Sequence, residues 1–381
     1  MEPAEQAGRA RIVLAVLAAA LGFFVDAYDL ILYSIVRVQS LHGLGVPDAA
    51  MMSTGVDLLN AQLIGMLIGG VVWGIWGDLL GRRSVLFGSI FLYSIATLAN
   101  AWVHSVPAYM GCRFIAGLGL AGELGAGITL VSELMPTRTR GYGTMIVAAV
   151  GVLGVVVASL VGDRFEWRTA YIIGGCLGFL LLVLRIGVSE SGMFRRAREE
   201  RGVSRGNFLA LFTDWRRAKK YVCVIAVALP IWYVIGIMIT FSPELGRHLG
   251  LAAAPKAARV ILFYYLGLTI GDLTSGYISQ RLRNRKKVIA AFMVLITAMG
   301  VVYFAFGGRS LATFYAICGV LGWCSGYWAV FLTTAAEQFG TNIRATVAVT
   351  APNFVRGLMT PIALTFKTLG AKWGALPVAA G

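Results

Sequence analysis

Long apolar stretches separated by short polar segments recur along the whole chain. The first runs from Ile12 to Val36, and a helix of that length crosses a bilayer core of about 30 Å. Ten further stretches are long enough to do the same. The predicted spans are residues 12–36, 57–76, 85–102, 108–132, 142–162, 170–188, 221–242, 258–279, 288–306, 311–334 and 345–366. The pattern therefore predicts an all-α integral membrane protein with eleven visible spans.

Composition and charge agree with a membrane location. Hydrophobic residues make up 58% of the chain and charged residues 13%, and the mean hydropathy is +0.77. The net charge of +15 does not indicate nucleic acid, because Lys and Arg concentrate at the N-terminus and in alternate loops, as they do on the cytoplasmic side of membrane proteins. We therefore expect a lipid bilayer as partner and no nucleic acid. The same asymmetry predicts a cytoplasmic N-terminus, in a cytoplasmic (inner) or plasma membrane.

Two short sequences recur at similar spacing in the two parts of the chain. The segment from Glu133 to Arg140 returns between Glu337 and Arg344 with Glu, Thr and Arg in register. The segment from Gly74 to Arg83 has a weaker echo that begins at Gly276. Parallel repeats of this kind place a substrate site between two halves near the middle of the membrane. The predicted organisation is an N-terminal six-helix half at 1–188, a cytoplasmic linker at 189–220, and a C-terminal half at 221–381 with five visible spans. Either the last helix is missing from the sequence, or the C-terminus emerges on the opposite side of the membrane from the N-terminus.

Two acidic residues, Asp26 and Asp29, lie inside the first predicted span. A charge in the bilayer is costly, so intramembrane acids are candidates for a functional site. Three residues apart, they share one helix face and repel each other, which is typical of proton or cation handling. Arg113 in the fourth span should reach a similar depth, and an Asp–Arg pair would lower the cost of burying either charge. A purely structural ion pair is the alternative.

Further polar residues inside the spans are candidates for proton or substrate binding. Glu123, below Arg113 on the fourth span, is either a proton carrier or a buried, hydrogen-bonded acid. Asp272 in the eighth span and Arg356 in the eleventh either pair with each other, or Arg356 holds an anionic substrate group, as a guanidinium does well. Asn353, one turn before Arg356, is a candidate neutral ligand.

Aromatic residues gather in the second part of the chain. Trp323 and Tyr327 lie one turn apart in the tenth span, and Trp232 lies in the seventh. Such rings can stack on a planar or sugar-like substrate, although packing within the bundle is the alternative. The sequence shows no Cys/His cluster for a metal and no nucleophile–His–acid set, so we expect no enzyme, no cofactor and a monomer.

Three motifs carry a family resemblance. The loop Gly74-Ile-Trp-Gly-Asp-Leu-Leu-Gly-Arg-Arg83 resembles the signature loop of the major facilitator superfamily, and Arg113-Phe-Ile-Ala-Gly-Leu-Gly119 resembles its second motif. Asp26-Ala-Tyr-Asp29, together with the segment from Gly119 to Glu123, is similar to the phosphate and aromatic-acid proton symporters within that superfamily.

The resemblance implies a fold and a set of roles. The fold is two pseudo-symmetric six-helix bundles that rock around a central site, with the first, fourth, seventh and tenth helices lining the cavity. Arg113 is linked to proton coupling. The loop residues Asp78, Arg82 and Arg83 form a conformational latch, with rim pairs expected for Glu133 with Arg140 and for Glu337 with Arg344.

Taken together, these residues predict a proton-coupled symporter of a small anionic metabolite, an organic acid or a phosphate-like compound. Asp26, Asp29, Glu123 and Arg113 would handle the proton, while Arg113, Arg356, Asn353, Tyr327, Trp323 and Trp232 would contact the substrate. A porter for sugars or other neutral metabolites is the alternative within the same class. A membrane sensor that has kept the fold but lost transport is the alternative from another class.

Overall fold

The structure is a computed structural model that describes residues 3–80, 82–122, 140–189, 212–339, 341–373 and 379, and every regular element in those ranges is helical. The helices of the first part are α1 (Pro3–Gly43), α2 (Asp48–Leu80), α3 (Arg82–Asn100), α4 (Val106–Leu120), α5 (Arg140–Arg164) and α6 (Trp167–Ser189). Those of the second part are α7 (Trp215–Tyr233), a π-helical segment (Val234–Ile239), α8 (Ser242–His248), α9 (Ala257–Leu282), α10 (Arg285–Phe306), α11 (Leu311–Ser325), α12 (Trp328–Glu337), α13 (Thr341–Gly357) and α14 (Met359–Trp373). We call α1–α6 the first bundle and α7–α14 the second bundle.

Helical stretches cover the predicted spans within the described residues, and one difference is informative. In the described part of the chain, eight helical stretches are long and apolar enough to cross a membrane, and α3 and α4 supply shorter apolar helices. The last predicted span, 345–366, is divided between α13 and α14. Leu358 at the junction still donates its N–H to the Phe354 carbonyl at 2.9 Å, so a helical hydrogen bond is kept across the junction.

The structure describes only part of the predicted linker at 189–220. Residues 190–211 lie outside the described residues, and α7 already begins at Trp215. Asp214 caps this helix, because its carboxylate accepts the backbone N–H of Arg216 at 2.9 Å. The second bundle therefore starts inside the segment that the sequence pattern assigned to the linker.

Small residues let the helices of each bundle approach closely. In the first bundle α1 packs on α5 and α6, and α3 packs on α4 and α6; in the second, α11 packs on α9 and α10. A Cβ atom at Gly154 would lie 1.9 Å from the Phe24 carbonyl oxygen, and one at Gly322 would lie 1.9 Å from the Tyr264 carbonyl oxygen. Because helix association in lipid depends on such close packing, these glycines set the distance between helices.

Two seams join the bundles, α5 against α9 and α2 against α13 and α14. Gly276 packs on Met145 at the first seam, and Gly357 packs on Leu67 at the second. Away from the seams, large apolar side chains point outward, and Val183, Val294 and Val301 are each more than 60% exposed. An outer surface of that kind suits a bilayer, in which apolar exposure carries no cost.

One end of the molecule is closed by several short connections. We call the end at which α1 terminates the distal end. The connections after α1, α3, α5 and α10 all come to it, at residues 44–47, 101–105, 165–166 and 307–310. Gly43 lies against the indole of Trp167, and Gly308 lies against Leu249, so these connections cover the end of both bundles.

Candidate functional site

An acid and a base from two different helices meet in the interior of the first bundle. The Arg113 Nη1 atom of α4 lies 3.8 Å from the Asp29 Oδ1 atom of α1, and Arg113 Nη2 donates to the Asp29 backbone carbonyl at 3.4 Å. Thr97 of α3 donates its hydroxyl to Asp29 Oδ2 at 2.6 Å. Both charged side chains are fully buried, so each depends on the other to remain charged away from water.

Three tyrosines enclose this pair on the distal side. The guanidinium carbon of Arg113 lies 6.0 Å from the ring centre of Tyr33 and 5.6 Å from that of Tyr171, which adds cation–π attraction. The hydroxyls of Tyr109 and Tyr171 are 2.5 Å apart, and Tyr109 also donates to Ser40 at 3.2 Å. The tyrosine hydroxyls and the pair of Asp29 and Arg113 thus form a buried polar cluster in the interior of the first bundle.

A second acid–base pair bridges the two bundles. Asp26, one turn before Asp29 on α1, interacts electrostatically with Arg356 of α13. The guanidinium carbon of Arg356 lies 5.0 Å from the ring centre of Trp232 in α7. All three side chains are buried. Two neighbouring acids on α1 therefore face different cations: Asp29 lies 3.8 Å from Arg113 of the first bundle, and Asp26 is attracted to Arg356 of the second.

A small void of about 20 Å³ lies between the bundles, beside Trp232. We call it the inter-bundle void. Its walls come from α1, α2, α7, the π-helical segment and α14, with Thr240 after that segment, and are largely apolar. The lining residues are Leu30, Ile31, Ser34, Leu59, Gln62, Leu63, Trp232, Ile235, Gly236, Thr240 and Met359. Because Trp232 contacts both the void and Arg356, it connects an apolar chamber to a buried cation.

Asp272 has a structural partner of a different kind. Its Oδ1 atom accepts the backbone N–H of Ala329 at 3.1 Å, and its carboxylate also accepts the N–H of Trp328. These are the first N–H groups of α12, so the buried acid caps that helix and opposes its dipole. Of the two interpretations left open by the sequence, pairing between Asp272 and Arg356 is not what the structure shows.

The remaining predicted substrate residues of the second bundle are held by protein groups. Tyr327 is fully buried and donates its hydroxyl to the Val227 carbonyl at 2.9 Å. Trp323 packs its ring 5.6 Å from that of Phe292, and neither aromatic lines the inter-bundle void. Asn353 donates to the Ala121 carbonyl at 3.0 Å, which joins α13 to the end of α4. The void thus retains Trp232 as its predicted aromatic contact.

The predicted latch residues are described only in part. Glu337 forms an ion pair with Arg285 at 2.8 Å, a partner that the repeat did not predict. Glu123 and Glu133 lie outside the described residues. The same holds for the side chains of Asp78, Arg82, Arg83, Arg140 and Arg344, whose backbones belong to α2, α3, α5 and α13. Their predicted roles remain predictions.

A further buried charge, at the distal end, was not predicted. Arg37 of α1 is fully buried and donates to the Glu244 carboxylate at 2.7 Å and to the Thr240 carbonyl at 3.2 Å. Its guanidinium also lies 4.6 Å from the ring centre of Phe241. The sequence pattern ended the first span at residue 36, whereas α1 continues to Gly43, which takes Arg37 into the protein.

Two exposed ion-pair groups join the bundles near the same end. Lys367 of α14 pairs with Asp57 of α2. Lys256 and Arg259 lie 3.7 Å and 3.5 Å from the Asp163 carboxylate of α5. Together with the pair of Arg37 and Glu244, they hold the bundles together beyond the void.

The comparison with protein families agrees with this architecture. The family model for the Major Facilitator Superfamily matches residues 11–364. The chain belongs to the Major Facilitator Superfamily. It is therefore a multi-pass membrane transporter and not an enzyme, as the motifs predicted, and its all-helical fold is that of the superfamily.

Similar members of the superfamily include two that are named for aromatic acids. The chain is 27% identical over 343 residues to the niacin transporter NiaP of Acinetobacter baylyi, covering 81% of this chain and 77% of that protein. It is 27% identical over 331 residues to the 3-(3-hydroxy-phenyl)propionate transporter of Escherichia coli, covering 85% and 79%. A solved structure of the proton:xylose symporter XylE, bound to 6-bromo-6-deoxy-D-glucose, matches with a TM-score of 0.70 at 18% identity over 98% of this chain and 93% of that chain.

Proposed function

We propose that this superfamily member is a proton-coupled symporter of a small organic anion, and that its cargo is a monocyclic aromatic carboxylic acid. The observation that carries the proposal is the position of Trp232, which forms a wall of an apolar void and has Arg356 against its ring. The void of about 20 Å³ has to widen to admit cargo, and an aromatic ring can then lie against the indole and a carboxylate on the guanidinium. The relatives named for niacin and for 3-(3-hydroxy-phenyl)propionate support the same substrate class.

Charge balance explains how cargo and proton could travel together. Asp26 attracts Arg356 electrostatically, and in this proposal it acts as the counterion of Arg356 when no cargo is bound. A substrate carboxylate that takes its place on the guanidinium leaves Asp26 as an uncompensated buried charge, which is costly. A proton on Asp26 removes that cost, so the site has the same net charge with and without cargo. One proton per monovalent anion follows from this exchange of partners.

The pair of Asp29 and Arg113 supports a second step in the same cycle. It joins α1, α3 and α4 through the carboxylate, Thr97 and the guanidinium. A proton that neutralises Asp29 would weaken these contacts and let the three helices shift against one another, which would bias the packing of the first bundle during alternating access. We retain Glu123 as a proton carrier in this proposal, on the sequence evidence alone.

The proposal is tested by solute-driven proton movement in proteoliposomes loaded with a pH-sensitive dye. Monocyclic aromatic carboxylates added outside should acidify the lumen faster than in protein-free liposomes, a comparison that removes passive entry of the neutral acid. Arg356→Gln should lower this rate at least tenfold, while Arg309→Gln, at an exposed cation on the turn before α11, should leave it unchanged. Acidification by sugars but not by acids would contradict the proposal, as would cargo binding without proton movement.

A further inference from the structure

One amide side chain that lines the inter-bundle void has, among the described residues, a hydrogen-bond partner for its nitrogen atom but none for its oxygen atom. Gln62 of α2 lines the void and is 1% exposed. Its Nε2 atom donates to the Leu30 carbonyl at 3.1 Å, and this bond fixes which end of the amide is which, because a carbonyl can only accept. The Oε1 atom is thereby the remaining acceptor. Within the described part of the chain no group donates to it.

A buried acceptor without a donor is a cost that proteins rarely carry without a reason. Leaving such a group unpaired costs about 1–3 kcal/mol, and buried polar groups are paired in most native structures. The neighbouring hydroxyls do not relieve it, because Thr240 donates to the Ile235 carbonyl at 2.8 Å and lies 3.0 Å from the Ser34 hydroxyl. The void therefore has, within its largely apolar wall, one residue whose buried acceptor no neighbouring hydroxyl of the described chain satisfies.

We propose that Gln62 is a specificity-determining residue that selects aromatic acids carrying a hydroxyl or N–H donor on the ring. The inference rests on the proposed function, in which the ring lies against Trp232 and the carboxylate binds Arg356. A ring donor pointing towards α2 would satisfy Oε1, and an analogue without a donor would leave that atom unpaired. Sites built to bind a hydroxyl reject analogues that lack it for this reason.

The first test uses the unmodified protein and three ligands that share a carboxylate. Hydroxybenzoates are compared with the matching methoxybenzoates and with benzoate, as competitors of uptake and by thermal shift in detergent. The best hydroxy isomer should bind about three- to tenfold more tightly than both others. A methyl ether is larger than the hydroxyl but has no donor. If the methoxybenzoate binds most tightly, affinity follows ligand size and the inference is overturned.

The second test changes the acceptor. Gln62→Met keeps the length of the side chain and removes the carbonyl, so the ratio of hydroxybenzoate to benzoate affinity should fall to about one. Asn60→Leu removes a buried amide from the same helix at a position that does not line the void, and it should retain the ratio of the unmodified protein. A preference that survives in Gln62→Met would also overturn the inference.

The two proposals fail in different ways. Uptake of aromatic acids without any preference for a ring donor removes Gln62 as the selecting residue and leaves the symport proposal intact. No uptake and no binding of any aromatic acid removes both. Because each variant is assessed by a ratio of two ligands, its expression level does not enter the result, and the ligand series on the unmodified protein decides the matter even if Gln62→Met does not fold.

Discussion

At the scale of single residues, two acids one turn apart on α1 have separate tasks. Asp29 is completely enclosed by Arg113, Thr97 and its own helix, while Asp26 faces Arg356 across the boundary between bundles. For each acid, a nearby guanidinium lowers the cost of holding a charge away from water. Removing one partner therefore does more damage than removing both.

Asp29→Asn should destabilise the folded protein by about 3–5 kcal/mol, because it leaves Arg113 as an uncompensated buried charge. The double variant Asp29→Asn/Arg113→Gln should recover much of that loss and still show no solute-driven proton movement. Unfolding in detergent measures the first effect, and dye-loaded proteoliposomes the second. Asp48→Asn, at an exposed acid at the distal end, serves as control and should stay within about 0.5 kcal/mol. If the free-energy changes of Asp29→Asn and Arg113→Gln simply add up to that of the double variant, the two residues do not act as a pair.

The sequence predicted the buried charges better than it predicted their partners. Asp29 and Arg113 were expected to meet across α1 and α4, and they do. The partner of Arg356 was left open, because separation along the chain says nothing about which helix lies opposite. The sequence pattern did not single out Gln62, although an amide inside an apolar span is a visible signal. Which end of that amide lacks a partner can be seen only in the structure.

At the scale of helices, the tenth predicted span is broken in the middle. The apolar run 311–334 reads as one helix, but α11 ends at Ser325 and α12 begins at Trp328. The break lies where α9 crosses, and a Cβ atom at Gly326 would lie 2.4 Å from the backbone of Gly271. Hydropathy cannot reveal such a break, because the residues on both sides are equally apolar. The capping carboxylate of Asp272 comes from a distant part of the chain.

Gly326→Ala should destabilise the protein by roughly 1–3 kcal/mol or more, since the added methyl group meets backbone atoms that cannot rotate away. Gly300→Ala is the matched control: this glycine lies within α10, and nothing comes within 4 Å of an added Cβ atom. Thermal unfolding monitored by size-exclusion chromatography compares the two. If both variants melt at the same temperature, the close crossing of α9 with the break in the tenth span is not a stability determinant.

At the scale of the whole molecule, the bundles are held together at the distal end by one buried and two exposed sets of ion pairs. Exposed pairs contribute about 0–1 kcal/mol each. The Arg37 pair is different, because Arg37 is fully buried and the Glu244 side chain is only 15% exposed. We therefore expect this pair to dominate the equilibrium between closed and open distal ends.

Arg37→Met should open the distal end, because Glu244 would lose its partner in the closed state. A cysteine introduced at Leu59, which lines the void, should then react at least tenfold faster with a membrane-impermeant thiol reagent applied from the distal side. Asp57→Asn, which breaks only an exposed pair, should change the rate less than about fivefold. The same chain without the Leu59→Cys change gives the background from the native cysteines.

The side of the membrane from which the reagent reacts also tests the orientation. We propose that the distal end is extracytoplasmic, as the distribution of Lys and Arg predicts. If the cysteine in Leu59→Cys reacts at the same rate with and without Arg37→Met, the buried pair does not control closure. Faster labelling from the other face alone would contradict the proposed orientation.

The π-helical segment Val234–Ile239 has a consequence for how the superfamily can be aligned. A π-turn holds one residue more than an α-helical turn at the same height, and each residue of an α-helix turns the chain by about 100°. A relative with one residue fewer between Pro230 and Thr240 could keep an unbroken α-helix and the same distal end. It would then present different side chains where Ile235 and Gly236 line the void. A one-residue gap at this point in an alignment would therefore mark a different cargo chamber as well as a shorter helix.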